Sequence, residues 1–287
     1  MSITKVSMVE VFNYNLKNYI ASELARQSMA YSEELDLRGN FMLLINRIRR
    51  TPIAQKRNVI ESSLFNCPQE HMSAYQRFIH LAETGSSLLP FCSRGNFKNA
   101  YKVKDQLFDD WGIVHFHFVE TGTKEVMFAI VEPETIYLLA VFSHGQGCYD
   151  VWSKKQLVEI IHNEFPFLIA HLKLNDSKKV TTDEDHRQAR KLAVNLPIVL
   201  GDGSSYYPTA IGVMSNRESQ HDIMAWMHLS RQIETYAQYT AKCMGSIAYD
   251  HGVEASKLSF SLGFAYDQHQ QLFFVQCKSN YGVVVSL

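Results

Sequence analysis

The chain has 287 residues, 46% of them hydrophobic and 20% charged. That length holds one large domain or two of ordinary size, and the composition is that of a folded protein rather than a disordered one. A formal net charge of -1 gives no global field to draw in nucleic acid or an anionic membrane, so any such binding needs a local patch.

Five cysteines (Cys67, Cys92, Cys148, Cys243 and Cys277) are scattered, odd in number and without a C-x-x-C pair. They point to buried thiols in a reducing compartment, the cytoplasm, rather than to a disulfide framework. The opening residues, MSITKVSMVEVFNYNLKN, carry polar side chains every few positions and lack the apolar segment of a signal peptide. The longest apolar runs, such as TIYLLAVF, have strand length, so no membrane partner is expected.

Taken in order, the first stretch is helical. Leu16, Tyr19, Ile20, Leu24 and Met29 lie close to a helical stripe over Asn13 to Tyr31. Phe41, Leu44, Ile45 and Ile48 predict a second helix over Asn40 to Arg50. Thr51-Pro52 stops or restarts it, because proline suits a first turn and not a helix interior. A third helix over Pro52 to Phe65 and a fourth over Gln69 to Glu83 complete an expected helical layer. This layer holds a basic cluster of Arg47, Arg49, Arg50, Lys56 and Arg57. Such a cluster is either a solvated helix face or a phosphate-contacting patch for nucleic acid. It lacks interleaved aromatic side chains, which argues against single-strand stacking.

A connector rich in small and polar residues, Gly85 to Lys104, leads to the centre of the chain, Leu107 to Trp152. Here three strand-like runs are separated by turns at Gly122-Thr123 and at Pro133, the pattern of an antiparallel meander. Val126 to Val131 and Thr135 to Phe142 are apolar on both alternating faces, so both sides of the sheet are expected to be covered. Ser153 is a candidate N-cap for a helix through Glu164. Leu172 to Arg190 is the most polar segment and reads as a boundary or exposed loop. A hairpin around GDGSS follows. Then comes the longest helical pattern, from Asn216 to about Asp250, with Ile223, Met224, Met227, Ile233, Tyr236 and Ala237 as its apolar stripe. His251-Gly252 ends it, a second hairpin covers Lys257 to Cys277, and Tyr281 to Leu287 supplies a last strand. The expected fold class is therefore α+β: a helical N-terminal region (1–104), a central antiparallel β-meander with a flanking helix (105–175), and a C-terminal hairpin, long helix and hairpin (176–287).

The chemistry concentrates in the central stretch. Residues two apart on a strand share a face, so His115 and His117 lie together with Ile113 and Val119. Val114, Phe116 and Phe118 point the other way. In a three-stranded meander the first and third strands run parallel to each other. That places His144, just past the third strand, at the same sheet edge as His117, about 10 Å away along the backbone. Asp109, Asp110, Glu120 and Tyr149 are near in sequence. His186, His221 and His251 sit in polar settings and are expected to face solvent.

Three chemistries fit. In the first, His117 and His144 act as general base and acid at a phosphodiester, His115 orients them, and Lys124 or Arg94 steadies the phosphate. That is a ribonuclease or related phosphodiesterase with no cofactor and with RNA as partner. In the second, the histidines are structural and the chain is a non-catalytic protein-binding or immunity-type protein. In the third, H-x-H with His144 or an acid holds zinc in a hydrolase, a two-ligand signal far weaker than H-E-x-x-H. A short meander flanked by helices, with His and basic residues on its open face, is similar in outline to small bacterial toxin ribonucleases of the barnase and RelE type. The likeness covers about a quarter of the chain with no diagnostic motif matched residue by residue, and implies a toxin-like ribonuclease only by architecture.

Overall fold

The computed structural model describes residues 5–93, 105–145, 147–174, 180–208, 214, 218–267 and 272–285. The fold is mixed α+β, and the chain divides into two units, residues 1–45 with 222–287 and residues 46–221.

The first unit is built on a helix, α1 (Lys5–Arg26). Met8, Phe12, Leu16, Ile20 and Leu24 recur four residues apart and are all buried. The helix starts earlier than the stripe at Asn13 suggests because Met8 and Phe12 continue that spacing. α1 packs on the first strand of a three-stranded antiparallel sheet, β8 (Phe260–Asp267), β9 (Leu272–Ser279) and β10 (Val284–Val285), in the order β10-β9-β8. Asn15 Oδ1 accepts a hydrogen bond from the Leu262 amide at 2.9 Å, and the Tyr19 and Phe264 rings lie 5.6 Å apart. The long helix α7 (Gln220–Asp250) buries Leu229, Ile233, Tyr236, Ala237, Thr240, Met244 and Ala248. Met224 and Met227 are about half exposed, so the buried stripe begins a turn and a half later than expected.

The second unit carries the central meander. The helix α2 (Leu37–Arg49) leads into it. Its sheet has the order β1-β4-β3-β2, where β1 is Asn58–Glu61, β2 Ile113–His117, β3 Glu125–Val131 and β4 Thr135–Ser143. β2, β3 and β4 form the expected antiparallel meander, with one register shift at Phe128/Ala129. β1 is parallel to β4 and lies where a third helix was expected. The open edge of β4 explains the difference: Glu134 O accepts from Asn58 N and Leu138 O accepts from Ser62 N, both at 2.9 Å. Pairing of exposed backbone groups overrides weak local helix propensity.

Both sheet faces are covered. On one, α3 (Met72–Thr84) places Tyr75, Phe78 and Ala82 against Phe116, Phe118, Met127, Ile136 and Leu138. On the other, α5 (Gln156–Glu164) places Leu157, Ile160 and Ile161 against Ile113, Val126, Phe128 and Leu139. Between β1 and β2 in sequence lies also the short helix α4 (Gln106–Trp111). Ser153 closes a 3-10 turn, Tyr149–Ser153, and α5 begins after it with Lys155 at its N-cap. The polar segment expected as a loop contains the helix α6 (Asp183–Lys191), fixed by a capping box between Thr182 and Asp185. Its buried His186 is not solvent-facing, because the helix turns it back towards Thr181, whose Oγ1 lies 2.9 Å from Nε2. A small sheet, β5 (Lys173–Leu174), β6 (Ile198–Val199) and β7 (Ser205–Tyr206), contains the GDGSS hairpin.

Candidate active site

Three imidazoles converge at one end of the meander. The register pairs His117 with Val126 and Val126 with Phe142. These three residues share one face, and His144, two past Phe142, returns to that face. The His144 amide donates to Lys124 O at 2.8 Å, continuing the β3–β4 ladder beyond Ser143. The His117 and His144 ring centroids are 5.1 Å apart, His115 and His117 5.8 Å, and His115 and His144 6.3 Å. Backbones two strand spacings apart are thus bridged by the side chains.

Trp152 closes the group. Its ring lies 4.9 Å from His115, 5.6 Å from His144 and 5.7 Å from Phe128. It is carried by the 3-10 turn that follows the glycine-bearing loop. His117 is buried, whereas His115, His144 and Trp152 are partly exposed.

Each strand histidine has a distinct polar partner. His115 Nδ1 faces Asp105 Oδ2 at 3.4 Å. Asp105 is the N-cap of α4 and also accepts from the Phe108 amide at 3.1 Å. Gly112, with φ +66, closes that helix and turns the chain into β2, so the cap and the strand histidine meet although ten positions separate them. Burial pushes the Asp105 carboxyl up, but His115, Arg50 and the Phe108 amide outweigh it and hold it at about 2. Asp105 is therefore a carboxylate across the neutral range, which favours the His115 tautomer with its proton on Nδ1 and its lone pair on Nε2. His117 Nδ1 accepts from the Thr123 amide at 3.0 Å, tying the ring to the β2–β3 turn.

The opposite face of the same sheet end is polar too. Glu125 accepts from Ser143 Oγ at 3.2 Å and meets His71 Nε2 at 3.5 Å, while His71 stacks on Phe118 at 4.4 Å. Burial raises the Glu125 carboxyl, but its backbone hydrogen bond, His71 and Ser143 bring it below the ordinary carboxylate range.

The other expected site residues lie elsewhere. Lys124 is exposed in the turn. Arg94 falls outside the described residues, as does the side chain of Tyr149. The basic cluster does not form an open face. Arg47, Arg50 and Arg57 are buried, and Lys56 alone of the five is exposed. Arg49 and Arg50 reach the buried Asp109 at 3.3 and 3.6 Å. Arg57 donates to the carbonyls of Glu132 and Ile53 at 2.9 and 2.7 Å. The guanidiniums brace the scaffold because buried charge is tolerated only with such partners. Asp110 pairs with Arg190 at 3.5 Å, and burial still pushes its carboxyl up to about 7. Among the described residues no group of three or more His, Cys, Asp or Glu side chains is arranged to hold a metal ion.

Comparison with family models, curated proteins and solved structures gives no match. Sequence reasoning missed Asp105 and Trp152. The signal for Asp105 was an acidic residue placed directly before a short amphipathic run that ends in glycine. Trp152 carried no signal of its own beyond its place after the loop. No described helix is long and apolar enough to cross a membrane.

Proposed function

We propose that the chain cleaves a phosphodiester by metal-independent general acid–base catalysis, with RNA as the substrate class. The observation that carries this reading is the Asp105–His115 contact beside His144, two imidazoles with centroids 6.3 Å apart and a carboxylate behind one of them. His115, with Nδ1 facing Asp105, has its Nε2 lone pair to take the proton from a ribose 2′-hydroxyl. The 2′-oxygen then forms its bond to phosphorus as the bond from phosphorus to the 5′-oxygen breaks. His144, entering as the imidazolium, gives its proton to that leaving oxygen. The products are a 2′,3′-cyclic phosphate and a 5′-hydroxyl. His117 orients His144 from 5.1 Å, and Trp152 supplies a face on which a base stacks. The roles of His115 and His117 are thus exchanged relative to the expectation from spacing alone, because the carboxylate stands behind His115.

The test is cleavage of an RNA oligonucleotide by purified protein in the presence of a chelator. Wild type is expected to release cyclic-phosphate ends, to spare the 2′-deoxy analogue, and to lose activity by at least a hundredfold in His115→Ala and His144→Ala. Equal cleavage by those variants overturns the assignment. Stoichiometric zinc in the purified protein, removable with loss of activity, favours a zinc hydrolase instead.

A second reading, a non-catalytic protein-binding role with structural histidines, draws on the burial of His117 and its bond to the Thr123 amide. Exposed Met224 and Met227 on α7 would suit a protein partner. Absence of any phosphodiester cleavage by folded wild type favours it.

A further inference from the structure

The far end of the β3–β4 hairpin carries a second feature that the acid–base site does not use. β3 spans seven residues, so its turn end lies about 20 Å from the histidines. A cleft of about 600 Å³ opens there, lined by Glu132, Pro133, Glu134, Tyr137, Phe167 and His171 among others. Ligand clefts commonly fall between about 300 and 1,000 Å³.

One wall is aromatic. Tyr137 meets Phe165 at 5.0 Å and Phe167 at 5.7 Å. Phe167 is 61% exposed, and the 3-10 turn Pro166–Leu168 holds it in place. The other wall is acidic. Among the described residues, the side chains of Glu132 and Glu134 form no ion pair and no hydrogen bond. Burial raises the Glu132 carboxyl, and His171 is the group that opposes this. No lysine or arginine lines the cleft. An aromatic face next to carboxylates that no lysine or arginine of the cleft pairs is the chemistry that recognises an organic cation: the ring face attracts the positive charge, and the carboxylates supply the counter-charge.

We infer that this cleft binds a small organic ammonium compound, seated against Phe167 and Tyr137 with its charge towards Glu132 and Glu134. The volume exceeds what a single lysine side chain fills, which favours a free small molecule over one residue of a peptide. This site is independent of the proposed cleavage chemistry.

The probe is benzyltrimethylammonium, titrated into the full chain at pH 7.5 and followed by amide chemical shifts. Saturable shifts confined to residues 132–137 and 165–171 are expected, at least tenfold weaker in Phe167→Ala and in Glu132→Gln/Glu134→Gln. Both changes are at exposed positions, and the unperturbed remainder of the spectrum reports that each variant is folded. Benzyl alcohol and benzoate, which share the ring and lack the cation, are expected to leave the spectrum unchanged. Comparable shifts with benzyl alcohol, or none with the ammonium probe at millimolar concentration, overturn the inference. Tighter binding of a lysine-rich peptide than of the probe overturns the choice of a small molecule.

Discussion

Asp105 Oδ2 lies 3.4 Å from His115 Nδ1 while the same carboxylate caps α4. One side chain thus ties a helix start to a strand histidine. Asp105→Asn keeps the shape and removes the charge. Asn still caps α4 through its Oδ1, so the expected loss, on the order of 1–2 kcal/mol of stability, comes from the charge removed beside His115. A carboxyl held at about 2 when folded, against 3.8 when unfolded, contributes stability that is present above pH 3.8 and lost as pH falls towards 2. Urea denaturation between pH 2 and 5 should therefore show a shallower acid loss in Asp105→Asn than in wild type. Cleavage is expected to fall about tenfold to a hundredfold through kcat, with a displaced pH–rate profile.

His186 adds a second loss of stability on acidification, from burial of a neutral imidazole rather than from a favoured charge. Burial first, then Arg190 and Lys155, lower its imidazole to about 4, against the pull of Asp183 and Asp185. The unfolded chain binds a proton near pH 6.5 that the folded chain refuses until about 4. Stability therefore falls as pH drops through that window, by on the order of 3 kcal/mol in full. His186→Gln is expected to flatten urea midpoints between pH 6.5 and 4. An unchanged slope contradicts this account of the helix α6.

Asp109 is the counter-charge shared by Arg49 and Arg50. Asp109→Ala removes it from two buried guanidiniums, and a loss of about 3–5 kcal/mol is expected in equilibrium unfolding. Asp109→Asn should recover part of that through hydrogen bonding alone.

Gly85 ends α3 with φ +78, and a Cβ there would meet the Lys56 backbone nitrogen at 2.8 Å. Gly85→Ala combines left-handed strain with a clash against main chain, and about 1–3 kcal/mol of destabilisation is expected. The thermal midpoint reports it. Gly245→Ala, with nothing within 4 Å of the new methyl, serves as the mild comparison.

Period-two alternation in β2 was enough to put His115 and His117 on one face, and the short turns of the meander to put His144 at the same sheet edge as His117, since side-chain direction on a strand follows from sequence alone. The long helix was legible from the helical spacing of its apolar residues, and the C-terminal hairpin from two strand-length runs joined by a short turn. β1 was not, because Asn58–Glu61 becomes a strand only through pairing with β4, and no local pattern records that partner. The arginine cluster was misleading in a related way. Charge reads as exposure until a distant carboxylate, here Asp109, is folded against it. Asp105 lies within a local capping pattern, yet its reach to His115 depends on the turn at Gly112, which spacing does not encode.

In the proposed cleavage His144 donates the proton to the leaving oxygen. Its most direct test is leaving-group dependence in a chelator, comparing a dinucleotide with a uridine 3′-(4-nitrophenyl phosphate), whose phenolate needs no proton to depart. His144→Ala is expected to slow the dinucleotide by at least a hundredfold and the nitrophenyl ester by less than tenfold, while His115→Ala slows both. Equal losses on the two substrates in His144→Ala, or wild-type protein inert to both, contradict the account.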